Sequence, residues 1–217
     1  MSMSKQIESS DPLGGPGDTG RPLGVRAAAK ARTRQRLIES AKQLFMERGY
    51  EGATVRDIAA AAGLSTGAVF ASFADKVELF NEVLLVDGEA QCELMARAAE
   101  EPGRARERLV RVLSAAYRYQ LAQIELLRAA IAVSWSQGLV GDLGDRPIRK
   151  GATEIIRDLL ARGLADGELS QDSDLDIVTE TIWDCFIGNY RHAMFGDQDP
   201  ERLTDRLQRQ IDLIVAV

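Results

Sequence analysis

The chain is short of the residues on which most metal and redox chemistry depends. Its 217 residues include two cysteines, Cys92 and Cys185, and one histidine, His192. No CxxC pair or Cys/His cluster occurs, so there is no basis for a zinc site or a disulfide framework, and both cysteines read as small buried hydrophobes. No Glu-x-x-His pair and no nucleophile–base arrangement is visible, which argues against a helical enzyme with a bundle metal site. Neither a metal nor a cofactor is expected. There is no run of about eighteen apolar residues and hence no membrane span. The N-terminus has no apolar signal core, and a cytoplasmic address is expected. Strand patterning and repeats of 20–50 residues are missing as well.

What is present is a core-forming, helix-patterned composition with a lopsided charge. Hydrophobic residues make up 45% of the chain. The net charge is −6 and the pI is near 5.0, which looks wrong for a nucleic-acid binder until the chain is divided. Between Arg21 and Arg56 nine basic residues face three acids, a local +6 that leaves −12 for the rest. A small nucleic-acid reader joined to an acidic domain has this asymmetry. A solvated helix face accounts for Arg36, Lys42 and Arg48 well enough. It accounts less well for Arg56 and Lys76, which fall in first helical turns, where the macrodipole disfavours a cation unless an anion such as phosphate is bound there.

The most informative stretch runs from Ala53 to Lys76, ATVRDIAAAAGLSTGAVFASFADK. Thr54 followed by Asp57 is a carboxylate variant of the capping box. Val55, Ile58, Ala59 and Ala62 then form one apolar stripe, and Gly63 supplies a left-handed stop. Ser65 caps a second helix from Thr66 to about Ser72, with Val69 and Phe73 facing inward. Asp75 and Glu78 open a third, with Lys76 at N1. Two short helices meeting at a glycine turn predict a helix-turn-helix, whose second helix enters the DNA major groove. Upstream, Leu37, Ile38, Ala41, Leu44 and Phe45 share one helix face, ended by Gly49, and would brace the reader from behind.

Thr33-Arg34, Ala41, Leu44-Phe45, Gly49-Tyr50, Thr54, Ile58-Ala59, Ala62 to Ser65, Gly67, Phe73, Lys76 and Leu79 together resemble the N-terminal signature of the TetR/AcrR family of transcriptional regulators. The resemblance covers about fifty residues, from Thr33 to Leu84. It implies an all-helical homodimer that binds double-stranded operator DNA and usually releases it when a small molecule enters the C-terminal domain. It assigns operator contacts to Ser65, Thr66, Gly67, Ala68, Phe70 and Ser72, with Lys76 gripping phosphate. Arg34, Thr54 and Arg56 join them as candidates from the basic segment and the helix starts. The family commonly has tyrosine in place of Phe70 and histidine in place of Ser72. Phe70 lacks a phosphate donor but can pack on sugar or a thymine methyl, and a plain core role for it is the alternative.

The predicted architecture is all-α, with about nine helices. A disordered Gly/Pro-rich arm covers residues 1–29, a three-helix DNA-binding domain 30–78, and a larger ligand-binding and dimerisation bundle 79–217. Helices are expected over Glu78–Ala99, Ala105–Tyr119, Leu126–Gln137, Pro147–Leu164, Leu175–Met194 and Leu203–Val217, with a break at Gly138 to Gly144. Ile187, Leu203, Leu207 and Ile211 are candidates for the dimer interface, because the resemblance makes the last two helices the pairing surface. Cys92, Met95, Tyr117, Trp135, Trp183, Asn189 and Tyr190 are candidate ligand contacts, each with core packing as the competing role. If there is an effector, these residues suit a largely apolar or aromatic one. A ligand-responsive repressor is the leading reading. A helix-turn-helix regulator without a small-molecule effector, partnered by a protein or acting as an activator, is the alternative.

Overall fold

The computed structural model describes residues 22–136, 147–196 and 199–215, and its described residues form nine helices. The helices are α1 (Pro22–Gly52), α2 (Val55–Ala61), α3 (Thr66–Phe70), α4 (Lys76–Glu100), α5 (Ala105–Leu121), α6 (Ile124–Ser136), α7 (Pro147–Ala165), α8 (Leu175–Phe195) and α9 (Pro200–Ile214). From α2 onward, predicted and observed ends agree to within three residues. The expected break at Gly138 to Gly144 lies outside the described residues, as does most of the arm. Residues 22–29, placed in the disordered arm by the sequence reading, instead form the first turns of α1. Alanines at 27–29 and 31 favour that extension, because a helix already nucleated downstream propagates at little cost.

Glycines act as stops where the backbone needs positive φ. Gly49 leaves helical geometry inside α1 (φ 69°, ψ 174°) and turns the chain toward α2. After α2, Gly63 sits at φ 63°; its N–H donates to the Ala60 carbonyl at 3.0 Å, and Leu64 N–H donates to Ala59 at 2.8 Å. That pair of bonds is a Schellman motif, which satisfies two carbonyls the helix end would leave open.

Two cores share one long helix. In the first, Leu37, Ala41 and Phe45 of α1 meet Ile58, Val69, Phe73 and the Leu79, Phe80 and Val83 stretch of α4. Leu126, Ala129 and Val133 of α6 close this core, so it runs past residue 78 and draws in a helix of the bundle. In the second, Met95 of α4 packs with Leu113 and Tyr117 of α5, Ile156 of α7, Trp183, Phe186 and Tyr190 of α8, and the α9 stripe. Between the two, α4 buries Asp87 and Gln91.

The α9 stripe requires a correction. Leu203, Leu207 and Ile211, expected at the dimer interface, are buried in the protomer's own core, where α9 packs on α5 and α8. An amphipathic pattern records that a face is covered, not which chain covers it. Of the four interface candidates only Ile187, 44% exposed, is open to a partner.

Candidate nucleic-acid interface

The caps of the helix-turn-helix form as the spacing predicts, with one difference in detail. Thr54 Oγ1 accepts the Asp57 N–H at 3.1 Å and donates to the Asp57 carboxylate at 2.7 Å. The box therefore closes hydroxyl to carboxylate. That hydrogen bond, helped by the charges of Arg48 and Arg56, holds the Asp57 carboxyl below the ordinary aspartate range. Ser65 Oγ accepts the Ala68 N–H at 3.3 Å, and Asp75 Oδ1 accepts the Glu78 N–H at 2.8 Å. The Glu78 carboxylate reaches back to the Ala74 N–H.

These caps aim one face of α3 outward while Val69 and Phe73 anchor the other in the core. Ser65, Thr66 and Gly67 are exposed and Ala68 is half-buried. Phe70 is 58% exposed, which rules out its reading as a core residue. Ser72 donates its hydroxyl to the Ala68 carbonyl at 3.0 Å, so this short donor is used within the helix. Thr54 and Arg56 are exposed at the start of α2, and Arg56 has no ion pair among the described residues.

Lys76 stands at the first turn of α4 with its Nζ 4.1 Å from the centroid of the Tyr50 ring. Tyr50 in turn stacks on Phe45 (centroids 5.7 Å apart) and meets Phe80 edge-on at 4.9 Å. Partial burial over this aromatic group holds the Lys76 pKa below that of an exposed lysine. A cation so placed is pre-positioned, and an approaching anion strengthens its charged form. Sequence reasoning missed the part Tyr50 plays; its place just after Gly49 was the available signal.

Arg34 differs from the other candidates. Its Nη1 donates to the Ser72 carbonyl at 2.8 Å, its Nη2 pairs with Glu82 at 2.9 Å, and its guanidinium lies 4.2 Å from the Phe73 ring centroid. This candidate DNA contact, its side chain a third exposed, is engaged within the chain and ties α1 to the end of the recognition helix and to α4. Arg36 behaves similarly, donating to the Ala62 carbonyl at the turn.

Four of the candidate ligand residues, Met95, Tyr117, Trp183 and Tyr190, come together in the second core. The Tyr117 hydroxyl donates to the Phe186 carbonyl and accepts from Asn189 Nδ2, both at 3.1 Å. Asn189 also donates to Gln210 at 2.8 Å and accepts from Arg206 Nε at 2.9 Å. Cys92 stands apart against α7, its thiol 3.8 Å from the Ile148 carbonyl. The Trp135 side chain lies outside the described residues. A groove of about 680 Å³ runs along the outer faces of α8 and α9, lined by Thr181, Asp184, Cys185, Gly188, Arg191 and Phe195 among others.

Residues 37–83 match the family described as bacterial regulatory proteins, tetR family. Over 189 residues the chain is 31% identical to the HTH-type transcriptional repressor AcnR of Corynebacterium diphtheriae, covering 83% of this chain and 88% of that protein. Among solved structures, a putative transcriptional regulator from Pseudomonas aeruginosa PAO1 superposes with a TM-score of 0.69 at 22% identity, over 86% of this chain and 91% of that one. FadR from Bacillus subtilis, solved in complex with stearoyl-CoA, gives 0.66 at 21% identity, over 84% and 97%. An exposed recognition helix on a two-core helical frame and a relative matched over most of its length agree: the chain belongs to the TetR family of bacterial regulatory proteins and is a DNA-binding transcriptional regulator rather than an enzyme.

Proposed function

We propose that the protein is a homodimeric repressor that reads a pseudo-palindromic operator and is released by a small, largely apolar or aromatic effector. The observation that carries the DNA reading is the outward face of α3, where Ser65, Thr66, Gly67 and Phe70 are exposed side by side. Thr66, Ala68 and Phe70 meet base edges, and Ser65 and Gly67 let the backbone approach. Lys76, Arg56 and Thr54 hold phosphates, and Ser72 sits at the rim. Residues 30–78 act as the reader and residues 79–217 as the sensing and pairing part.

Dimerisation uses the outer faces of α8 and α9. On these two helices Ile187 (44% exposed), Phe195 (85%) and Leu213 (82%) are large apolar side chains left open to water, which a partner would cover. A Cβ at Gly188 would meet nothing within 4 Å, which leaves room for a partner helix to approach closely.

The effector reading rests on Tyr190. Its hydroxyl is buried with no hydrogen-bond partner among the described residues, beside the Tyr117–Asn189 network. A buried donor without an acceptor costs about 1–3 kcal/mol, which a ligand acceptor would recover. The same fold in FadR holds stearoyl-CoA, a precedent for apolar cargo. A regulator without an effector is the second reading, favoured by the close aromatic packing of Tyr117 on Phe186 and Tyr190 (centroids 4.7 and 5.2 Å).

Footprinting on the DNA flanking its own gene tests the proposal. A dimer should protect two half-sites whose centres lie about 34–36 Å apart, or a multiple of that. A monomer giving a specific footprint on an asymmetric site overturns it.

A further inference from the structure

The first turns of α1 do not belong to either core. Every residue from Gly24 to Arg32 is exposed, Val25 among them at 65%. Arg26, Lys30 and Arg32 make no ion pair among the described residues, and no acid occurs in α1 before Glu39. A helical segment that buries nothing gains little from folding by itself, since packing supplies most helical stability in proteins. Ion pairing along its surface adds nothing here, because its charges are all of one sign. The segment has helical propensity and a charge pattern, and no partner within the described chain.

Its placement says what the partner is. Arg26, Lys30 and Arg34 follow one another at i, i+4 and i+8 and so share a face. Arg34, at the inner end of that row, is tied to the Ser72 carbonyl at the end of the recognition helix. The free cations therefore leave the domain beside the DNA-reading element, with Lys30 about 6 Å and Arg26 about 12 Å further along the helix axis. Duplex DNA carries one charge per roughly 1.7 Å of its axis, so a row of this length passes several phosphates.

We propose that the exposed start of α1 is a second DNA-binding element, in which Arg26 and Lys30 contact backbone phosphates of the duplex flanking each half-site. This rests on the operator-binding reading and extends it: the recognition helix reads sequence, and the arm adds sequence-independent affinity outside the half-site. Contacts of this kind set register and retention without specifying bases.

The test is the salt dependence of operator binding for wild type and the Arg26→Ala/Lys30→Ala double variant, on two duplexes. One duplex extends about a helical turn beyond the protected half-sites, and the other is trimmed to them. On the long duplex the double variant should lose about 0.9 of slope per cation in each half-site. On the trimmed duplex the two proteins should have the same slope. An unchanged slope on the long duplex overturns the proposal, and so does an equal loss on both duplexes, because general charge would then suffice. An arm serving an acidic protein partner gives the unchanged slope. Failure of wild type to bind any operator fails the underlying reading instead, so the two outcomes are separable. Substitution of these exposed residues leaves both cores intact, and unchanged thermal unfolding confirms that the variant is folded.

Discussion

Lys42 of α1 places its ammonium 2.6 Å from Oδ1 of Asp87, a carboxylate 4% exposed and located between the two cores of α4. The same oxygen accepts from the Tyr119 hydroxyl at 2.9 Å and from Gln123 Nε2 at 2.8 Å, both from α5 or its end. One atom thus joins the DNA-binding helices to the bundle. Asp87→Ala strands three donors, whereas Lys42→Met leaves Asp87 with two. Removing one partner of a buried pair costs up to about 3–5 kcal/mol. Lys42 is a third exposed, so its own loss should be smaller, about 1–2 kcal/mol after solvent screening. Urea unfolding should rank Asp87→Ala well below Lys42→Met, and equal losses would contradict the hub. Burial works against the Lys42 charge, but the hydrogen bond and charge of Asp87 outweigh it and raise the Lys42 pKa above that of an exposed lysine. A raised lysine stabilises fully below its unfolded pKa and loses that contribution as pH climbs through the folded value. The gap between wild type and Lys42→Met should therefore stay level from neutral pH to about 10 and narrow above it.

Arg34 should behave as a structural side chain rather than as a phosphate ligand. Arg34→Ala removes a hydrogen bond to Ser72, a pair with Glu82 and the stack on Phe73. We expect a stability loss of about 1–2 kcal/mol. Arg34→Lys should recover little of it, because an ammonium lacks the planar fork that serves both partners. Lys76→Ala should show the opposite profile, with little change in unfolding and a salt slope reduced by about 0.9 per half-site. A swap of these two profiles in paired unfolding and binding titrations would invert the assignment.

Phe70 offers a test of base reading. With 58% of it exposed, Phe70→Ala should change unfolding by less than about 0.5 kcal/mol. Operator affinity should fall by about 1–2 kcal/mol per half-site, the scale of its apolar area buried against sugar or a thymine methyl. Phe70→Tyr restores a donor and should bind as well or better. If Phe70→Ala binds like wild type, the recognition face is turned differently.

Much of the reader was legible because its signals are local. Thr54, Ser65, Asp75 and Gly63 act within four residues of themselves, and each does in the structure what its spacing predicts. The inward stripe of α1 was legible for the same reason. What escaped the sequence depends on distant pairings. Asp87 looks like any helix-surface acid until Lys42, 45 residues earlier, is packed against it. Arg34 looks like a free cation until Ser72 and Glu82 are brought alongside. Leu203, Leu207 and Ile211 show an apolar face whose cover, own bundle or partner, has no local mark. The start of α1 was misread because Gly/Pro content just upstream outweighed the alanines that follow.

Two tyrosines with ring centroids 5.2 Å apart should respond to the same substitution with opposite signs. Tyr117→Phe removes a hydroxyl that donates to the Phe186 carbonyl and accepts from Asn189. It should destabilise the protein by about 1–2 kcal/mol, because buried partners lose their bonds. Tyr190→Phe removes a hydroxyl that is buried without a partner among the described residues. Deleting it relieves a desolvation cost, so the variant should unfold at higher urea, by about 1 kcal/mol. Burial raises the phenol pKa of both residues well above the ordinary value, so neither titrates near neutral pH to blur the comparison. The pair also bears on signalling. If an effector supplies the acceptor for Tyr190, Tyr190→Phe should bind operator like wild type but need more effector for release. A ligand that releases operator must prefer the released state, typically by about 1–3 kcal/mol, and operator must weaken its binding by the same factor. Equal ligand affinity with and without operator, in wild type and in Tyr190→Phe, would leave the unpartnered hydroxyl as a packing defect and favour the regulator without an effector.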